Sequence, residues 1–222
     1  MSLTELLRLA LPVLLKGTAY TLMFALVAMV LGLALGFVVA LLRIARVPLA
    51  SQLAAFYVSA MRGTPLLVQI FVIYYGLPGV GIELDPVPAG ILALTLNVAA
   101  YLSESLRGGI AGVDRGQWDA GLSLGLGWWR CMRFVIAPQA LRLSVPSLSN
   151  SLISLIKDTS LVSVITVTEL MLATKDVIAQ TFQPLPLYLM AAVIYWILGF
   201  VFERLQKHVE GRLAAAYSRN PA

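Results

Sequence analysis

Charge is scarce in this chain. Asp, Glu, Lys and Arg together supply 12% of it, against roughly 25% in an ordinary soluble domain. Cysteine is almost absent: Cys131 stands alone, which excludes a disulfide framework and a cysteine metal cluster. His208 is the single histidine and lies in a basic tail, so Ser–His catalysis within an apolar segment and His-rich metal sites are excluded as well. No G-x-x-x-x-G-K-[ST] run occurs, and the chain therefore lacks the loop that cradles nucleotide phosphates. It cannot bind and split ATP alone by that route. What is present in quantity is apolar surface, 59% of 222 residues. At ~20 residues per membrane span this leaves room for about four to six spanning helices and no sizeable soluble domain. A net charge of +5 would suggest nucleic acid in a soluble protein. Here the basic residues flank apolar runs, so their role is topological and no nucleic-acid partner is expected.

Uncharged runs locate the spans. Thr18 to Leu42 holds 25 residues without a charge, roughly 37 Å as helix, enough to cross a ~30 Å hydrocarbon core with tilt. Further spans are expected over residues 53–77, interrupted by Arg62; over 87–103; over 148–167, carrying Lys157 and Asp158; and over 187–202. Residues 1–16 place Leu3, Leu6, Leu7, Ala10 and Leu14 on one helical face with Glu5 and Arg8 outside it, the pattern of an interfacial helix. No small-residue cleavage site follows, so no removable signal peptide is read. Ala28, Gly32, Gly36 and Ala40 recur every four residues, a stripe suited to helix packing.

Charge asymmetry sets the orientation. Arg43, Arg46 and Arg62 follow the first span; Arg107, Arg115, Arg130, Arg133 and Arg142 follow the third; Arg204, Lys207, Arg212 and Arg219 end the chain. These twelve basic residues face three on the other side, Arg8, Lys16 and Lys175. By the positive-inside bias the N-terminus is outside, the C-terminus inside and the number of spans odd. Five spans satisfy both hydropathy and charge.

The stretch over residues 104–142 is the polar interruption of this pattern. Arg115 to Leu124 reads as a short helix, broken by Gly125 and Gly127 before a second helix starts at Trp128. Trp118 and Leu122 lie four apart on one face. Two readings are open on spacing alone: a docking surface, or a hairpin holding Trp118, Trp128 and Trp129 at the headgroup level.

Asp119-Ala120-Gly121-x-x-x-Gly125, then nine residues, then Val135-Ile136-Ala137-Pro138, resembles the cytosolic EAA loop of ABC importer permeases. The family pattern is E-A-A-x3-G-x9-I-x-L-P, and Asp119, Gly121 and Ala137 are among the positions that depart from it. Arg62-Gly63-Thr64-Pro65-Leu66, Leu96-Asn97 with Ala100-Tyr101 and Glu104, and Lys157-Asp158-Thr159-Ser160-Leu161 resemble stretches of the polar amino acid branch. Tyr74-Tyr75-Gly76-Leu77-Pro78 and Gly81-Ile82-Glu83-Leu84-Asp85-Pro86 are most similar to L-cystine permeases.

The resemblance implies an all-α, type I permease-like fold in the bacterial inner membrane. It also implies two ATP-binding cassette ATPase subunits carrying ATP and Mg, an extracytoplasmic amino-acid-binding protein, and a second permease copy, a homodimer being preferred. No cofactor is expected on this chain, and it catalyses no covalent chemistry. The coupling helix would use Arg115, Trp118, Asp119, Ala120, Gly121, Leu122 and Gly125. Asp119 offers charge, Ala120 and Gly121 permit close approach, and Gly125 stops the helix.

Polar groups inside spans are costly and should face an interior or a cavity. Asp158 with Thr159 and Ser160 reads as the border of a substrate route, where a carboxylate meets an ammonium group; a structural brace with Lys157 is the rival. Asn97 either contacts substrate or joins two helices, and Gln69 is a further pore-lining candidate. Glu104 and Arg107, three apart, read as a local ion pair. Arg62-Gly63-Thr64-Pro65 reads as the turn where a cytosolic amphipathic segment enters the second span, with a gating role for Arg62 as the alternative. An ion-coupled secondary amino acid transporter would also hold intramembrane charge, yet no internal repeat is found. A scaffold with a Trp-rich loop would have no need of charge inside a span.

Overall fold

A computed structural model describes residues 2–45 and 47–218, and these form helices joined by short turns. The first helix, α1 (Leu3–Ile44), is capped by a reciprocal pair in which Ser2 Oγ accepts from Glu5 N–H while the Glu5 carboxylate accepts from Ser2 N–H. It runs unbroken through Pro12 for 42 residues. In place of a separate helix ahead of the first span, the residues from Leu3 onward are the first turns of this one continuous helix. Its inward face (Leu6, Ala10, Leu14) is buried against Leu170, Val177 and Leu187.

The second apolar stretch is broken. Helix α2 (Ala50–Gly63) and α3 (Leu66–Phe71, continued by a π-turn and a 3₁₀ turn to Val80) meet at a bend of 111°. Pro65 causes it: Pro disfavours helical geometry at the preceding residue, and Thr64 is extended at φ −120°, ψ 149°. In place of one straight helix over 53–77 there are thus two helical pieces meeting at a sharp bend.

Helix α4 (Pro86–Ala111) packs lengthwise on α1. The small-residue stripe explains how closely. A Cβ on Gly32 would sit 2.5 Å from a Val98 methyl, and one on Gly36 would sit 2.8 Å from the Ala99 carbonyl oxygen. The backbones touch where the sequence removed the side chains.

After α4 come α5 (Arg115–Ser123) and a helical rod that opens as α6 (Trp128–Cys131), passes a π-turn (Met132–Ile136) and becomes α7 (Ala137–Asp158). The connection between spans is shorter than 104–142, because α4 runs on to Ala111 and α7 starts before Pro138. Pro138 lies inside this rod, where its missing N–H leaves a carbonyl of the preceding turn free, and the π-turn stands just before it. The expected span over 148–167 likewise ends early: α7 stops at Asp158 and a 3₁₀ turn (Thr159–Ile165) follows.

Helix α8 (Leu170–Thr181) was not foreseen, and α9 (Pro184–Ser218) closes the described chain. Among the described residues three helices are long and apolar enough to cross a membrane, or four with the bent pair counted as one. The main core joins Ala25, Ala28, Ala93, Leu94, Ile156 and Ile165 from α1, α4, α7 and the 3₁₀ turn.

Candidate functional site

Helix α7 is polar for a reason visible in its spacing. Ser147, Ser151, Ser154 and Asp158 recur at intervals of four, three and four, with Asn150 beside them, so they form one stripe along the helix. That stripe lines a cavity of about 510 Å³, a volume typical of small-molecule pockets. The opposite wall holds Thr64, Pro65 and Leu66 at the α2–α3 break and Asn97 and Tyr101 on α4. Of the expected substrate-route residues, the structure brings Asn97 and Asp158 to this cavity. Thr159 turns away, fully buried with its hydroxyl donating to the Ile156 carbonyl at 2.8 Å. Ser160 is not in the lining. Lys157 is exposed, and among the described residues no ion pair joins it to Asp158. Consecutive helical residues diverge, so adjacency in sequence does not make a pair.

Gln69 sits behind the cavity wall at 7% exposure and solves a backbone problem. The end of α2 leaves carbonyls without intrahelical partners, expensive where water is excluded. Gln69 Nε2 donates to the Met61 carbonyl at 2.8 Å and reaches the Thr64 carbonyl at 3.1 Å and the Thr64 hydroxyl at 2.9 Å. Asn97 Nδ2 in turn donates to Gln69 Oε1 at 3.0 Å and to the same Met61 carbonyl at 3.3 Å. Thr64 donates its hydroxyl to the Ala60 carbonyl at 2.8 Å. Gln69 is a brace of the broken helix. Asn97 is both brace and lining residue.

A second cavity of about 440 Å³ continues from the first on the side of the 112–127 connection, sharing Tyr101, Ser147 and Ser151. Glu104 stands in it. The expected local pair is present, Arg107 Nη2 lying 2.8 Å from Glu104 Oε2. Spacing could not show that Arg43 from α1 also donates to Glu104, or that Arg62 Nη1 approaches it to 3.6 Å. A distinct buried carboxylate, Glu169, opens α8: it accepts from the Met171 and Leu172 N–H groups at 2.8 and 2.9 Å and from the Tyr195 hydroxyl at 2.8 Å. Its place before an apolar run was the only sequence signal, an N-cap position.

The 112–127 connection has a firm inner face. Asp114 caps α5 by accepting from Gly116 N–H at 2.7 Å. Gly125 ends it at φ +79°, the left-handed geometry glycine tolerates, and Leu126 N–H closes back on the Gly121 carbonyl at 3.2 Å. Trp118 does not project as a docking group; it stacks on Trp128 at 5.9 Å and packs on the cluster of Val113, Cys131 and Ile136. Gly121 is buried against Cys131, whose sulfur would lie 2.6 Å from an added Cβ. The face left outward carries Arg115, Asp119, Ala120 and Leu122.

Residues 32–215 match the family of binding-protein-dependent transport system inner membrane components. The chain belongs to that family. Among relatives of this permease, the L-cystine transport system permease protein TcyB of Bacillus subtilis is 43% identical over 203 residues, covering 91% of this chain and 87% of the relative. The glutamine transport system permease protein GlnP of Escherichia coli is 35% identical over 206 residues, covering 92% and 94%. The crystal structure of an amino acid ABC transporter with histidines superposes with a TM-score of 0.91 at 32% identity, covering 96% of this chain and 99% of that one. The protein is an amino-acid ABC transporter permease subunit. Membership implies ATPase and substrate-binding-protein partners, and permease subunits of this kind carry no cofactor themselves.

Proposed function

We propose that this permease subunit forms the membrane route of an ATP-driven importer for a polar amino acid, with L-cystine the first candidate. One observation carries the reading: a serine, asparagine and aspartate stripe on α7 faces Asn97 across an open cleft of small-molecule size on the flank of an otherwise apolar bundle. Asp158 meets the ammonium group of the substrate, while hydroxyls and amides replace its hydration. The likeness to TcyB, a cystine permease at 43% identity, favours cystine. Counting α7 as a span gives five, with the N-terminus outside and the C-terminus in the cytoplasm of a bacterial inner membrane. One chain provides too few helices to enclose a route, so two copies pair as a homodimer. Each rests α5 in one of two ATPase subunits, which hold ATP and Mg and perform the hydrolysis. Arg115, Asp119, Ala120 and Leu122 form the contact. Closure of the ATPases moves both α5 helices, and α5 moves the bundle through Trp118, Gly121 and Cys131.

The test uses Asp119→Lys. Wild type and variant are co-purified with the ATPase subunit and assayed for ATP hydrolysis in lipid with binding protein and cystine. A stable wild-type complex with substrate-stimulated hydrolysis, weakened in the variant, supports the reading. Absence of a complex, or hydrolysis indifferent to the substitution, replaces it with the secondary transporter.

A further inference from the structure

The cluster around Glu104 carries more charge than it balances. Three guanidinium groups, Arg43, Arg62 and Arg107, converge on one carboxylate, a local net charge of +2. Arg43 and Arg107 take the hydrogen bonds. Arg62 does not: 3.6 Å is beyond N–H···O range. Its guanidinium instead lies over the Tyr101 ring, 5.4 Å from the centroid. Tyr101 lines both cavities, and Arg62 lines the second.

Arg62 is therefore a cation with donors to spare, held at the junction of the two cavities. Its neighbours hold it without consuming its fork of N–H groups, which matches a carboxylate bidentately. The first cavity presents the opposite sign at Asp158. A zwitterion passing from one chamber to the other meets a carboxylate first and a guanidinium second. We propose that Arg62, seated on Tyr101 and tethered by Glu104, is a recognition residue for the α-carboxylate of the amino acid as it passes from the first cavity to the second, beside the coupling hairpin. The proposal rests on the cavity reading above.

The experiment measures equilibrium binding of radiolabelled L-cystine, L-glutamine and L-histidine, and of their α-amides, to the nucleotide-free permease–ATPase complex in detergent. Amidation removes the carboxylate charge and leaves the rest of each probe intact. Wild type is expected to prefer the acid at least tenfold, the size of a charge-assisted hydrogen-bond pair. Arg62→Gln is expected to bring acid and amide within about twofold, with Arg62→Lys intermediate because it keeps charge without the fork. Glu104 keeps Arg43 and Arg107 in both variants, so assembly should persist. Should Arg62→Gln fail to assemble, Arg62→Lys decides, and a wild-type ratio there overturns the proposal.

Discrimination in wild type that is unchanged in Arg62→Gln overturns the role of Arg62 and leaves the cavity reading standing. Equal binding of acid and amide by wild type overturns it as well. Failure of every probe to bind wild type overturns the cavity reading and the proposal with it.

Discussion

Replacing Gln69 by Leu keeps bulk in the wall of the broken helix and removes the amide. Two N–H donors are lost, shared among the Met61 carbonyl at 2.8 Å, the Thr64 carbonyl at 3.1 Å and the Thr64 hydroxyl at 2.9 Å, and Asn97 Nδ2 loses its 3.0 Å acceptor, three hydrogen bonds in all. Hydrogen bonds of this kind contribute about 0.6 kcal/mol each in membrane proteins and about 1 kcal/mol in soluble ones. Loss of three amounts to about 2–3 kcal/mol, moderated because Asn97 still reaches the Met61 carbonyl at 3.3 Å. For a domain of this size about 2 kcal/mol lowers Tm by roughly 4–8 °C. The assay is thermal unfolding of the purified permease in one detergent for wild type, Gln69→Leu, Asn97→Val and the double variant. The single substitutions share a partner, so the double should destabilise by less than their sum, with coupling of about 0.6 kcal/mol. A Gln69→Leu protein that unfolds within about 1 °C of wild type, with no coupling to Asn97, would refute the bracing role.

Three other substitutions test separate parts of the fold. Gly36→Val drives a side chain against the Ala99 carbonyl, 2.8 Å from where its Cβ must stand, and should cost about 1–3 kcal/mol or more of stability in the same unfolding assay. Glu169→Leu strands the Met171 and Leu172 N–H groups and the Tyr195 hydroxyl. At about 1–3 kcal/mol per stranded group it should lower Tm more than Gln69→Leu does, and protease cleavage should begin near α8. Gly121→Val collides with the Cys131 sulfur, so it should unseat α5 and reduce ATPase co-purification at least about tenfold while the bundle's Tm falls by no more than about 1–3 kcal/mol would cause.

The parts of the fold written in local pattern were legible. The small-residue stripe on α1 meant close packing, and the Gly32 and Gly36 contacts are its realisation. Arg62-Gly63-Thr64-Pro65 marked a turn, and the chain bends there by 111°. Gly125 announced the end of α5 and adopts the positive φ that only glycine takes without strain.

Hydropathy misled where one helix serves two environments. Along α7 the polar stripe dilutes the apolar back, so the run of low charge began late and overshot into the 3₁₀ turn after Asp158. Reading Ser147, Ser151, Ser154 and Asp158 at helical period would have found both the helix and the cavity wall. The early residues of α1 read as interfacial because they are amphipathic, but their partners are Leu170 and Val177 of α8 and Leu187 of α9, far along the chain, which no local pattern announces. Trp118 and Gly121 looked outward for the same reason: α5 has two faces, and which one is covered depends on Cys131 beyond the turn. The Arg43 and Arg62 contacts to Glu104 join three helices and lie outside the reach of spacing rules.

ATP-driven uptake into proteoliposomes tests the route most directly. The complete transporter is reconstituted with binding protein outside and ATP on the ATPase side, and labelled cystine and glutamine are followed in wild type and Asp158→Asn. Wild type should accumulate substrate only with ATP and binding protein. Asp158→Asn should slow uptake at least about tenfold, the loss of one charge-assisted contact, while liganded binding protein still stimulates its ATP hydrolysis. Wild-type uptake by Asp158→Asn, or accumulation that needs no ATP, would contradict the assignment of this cavity as the path.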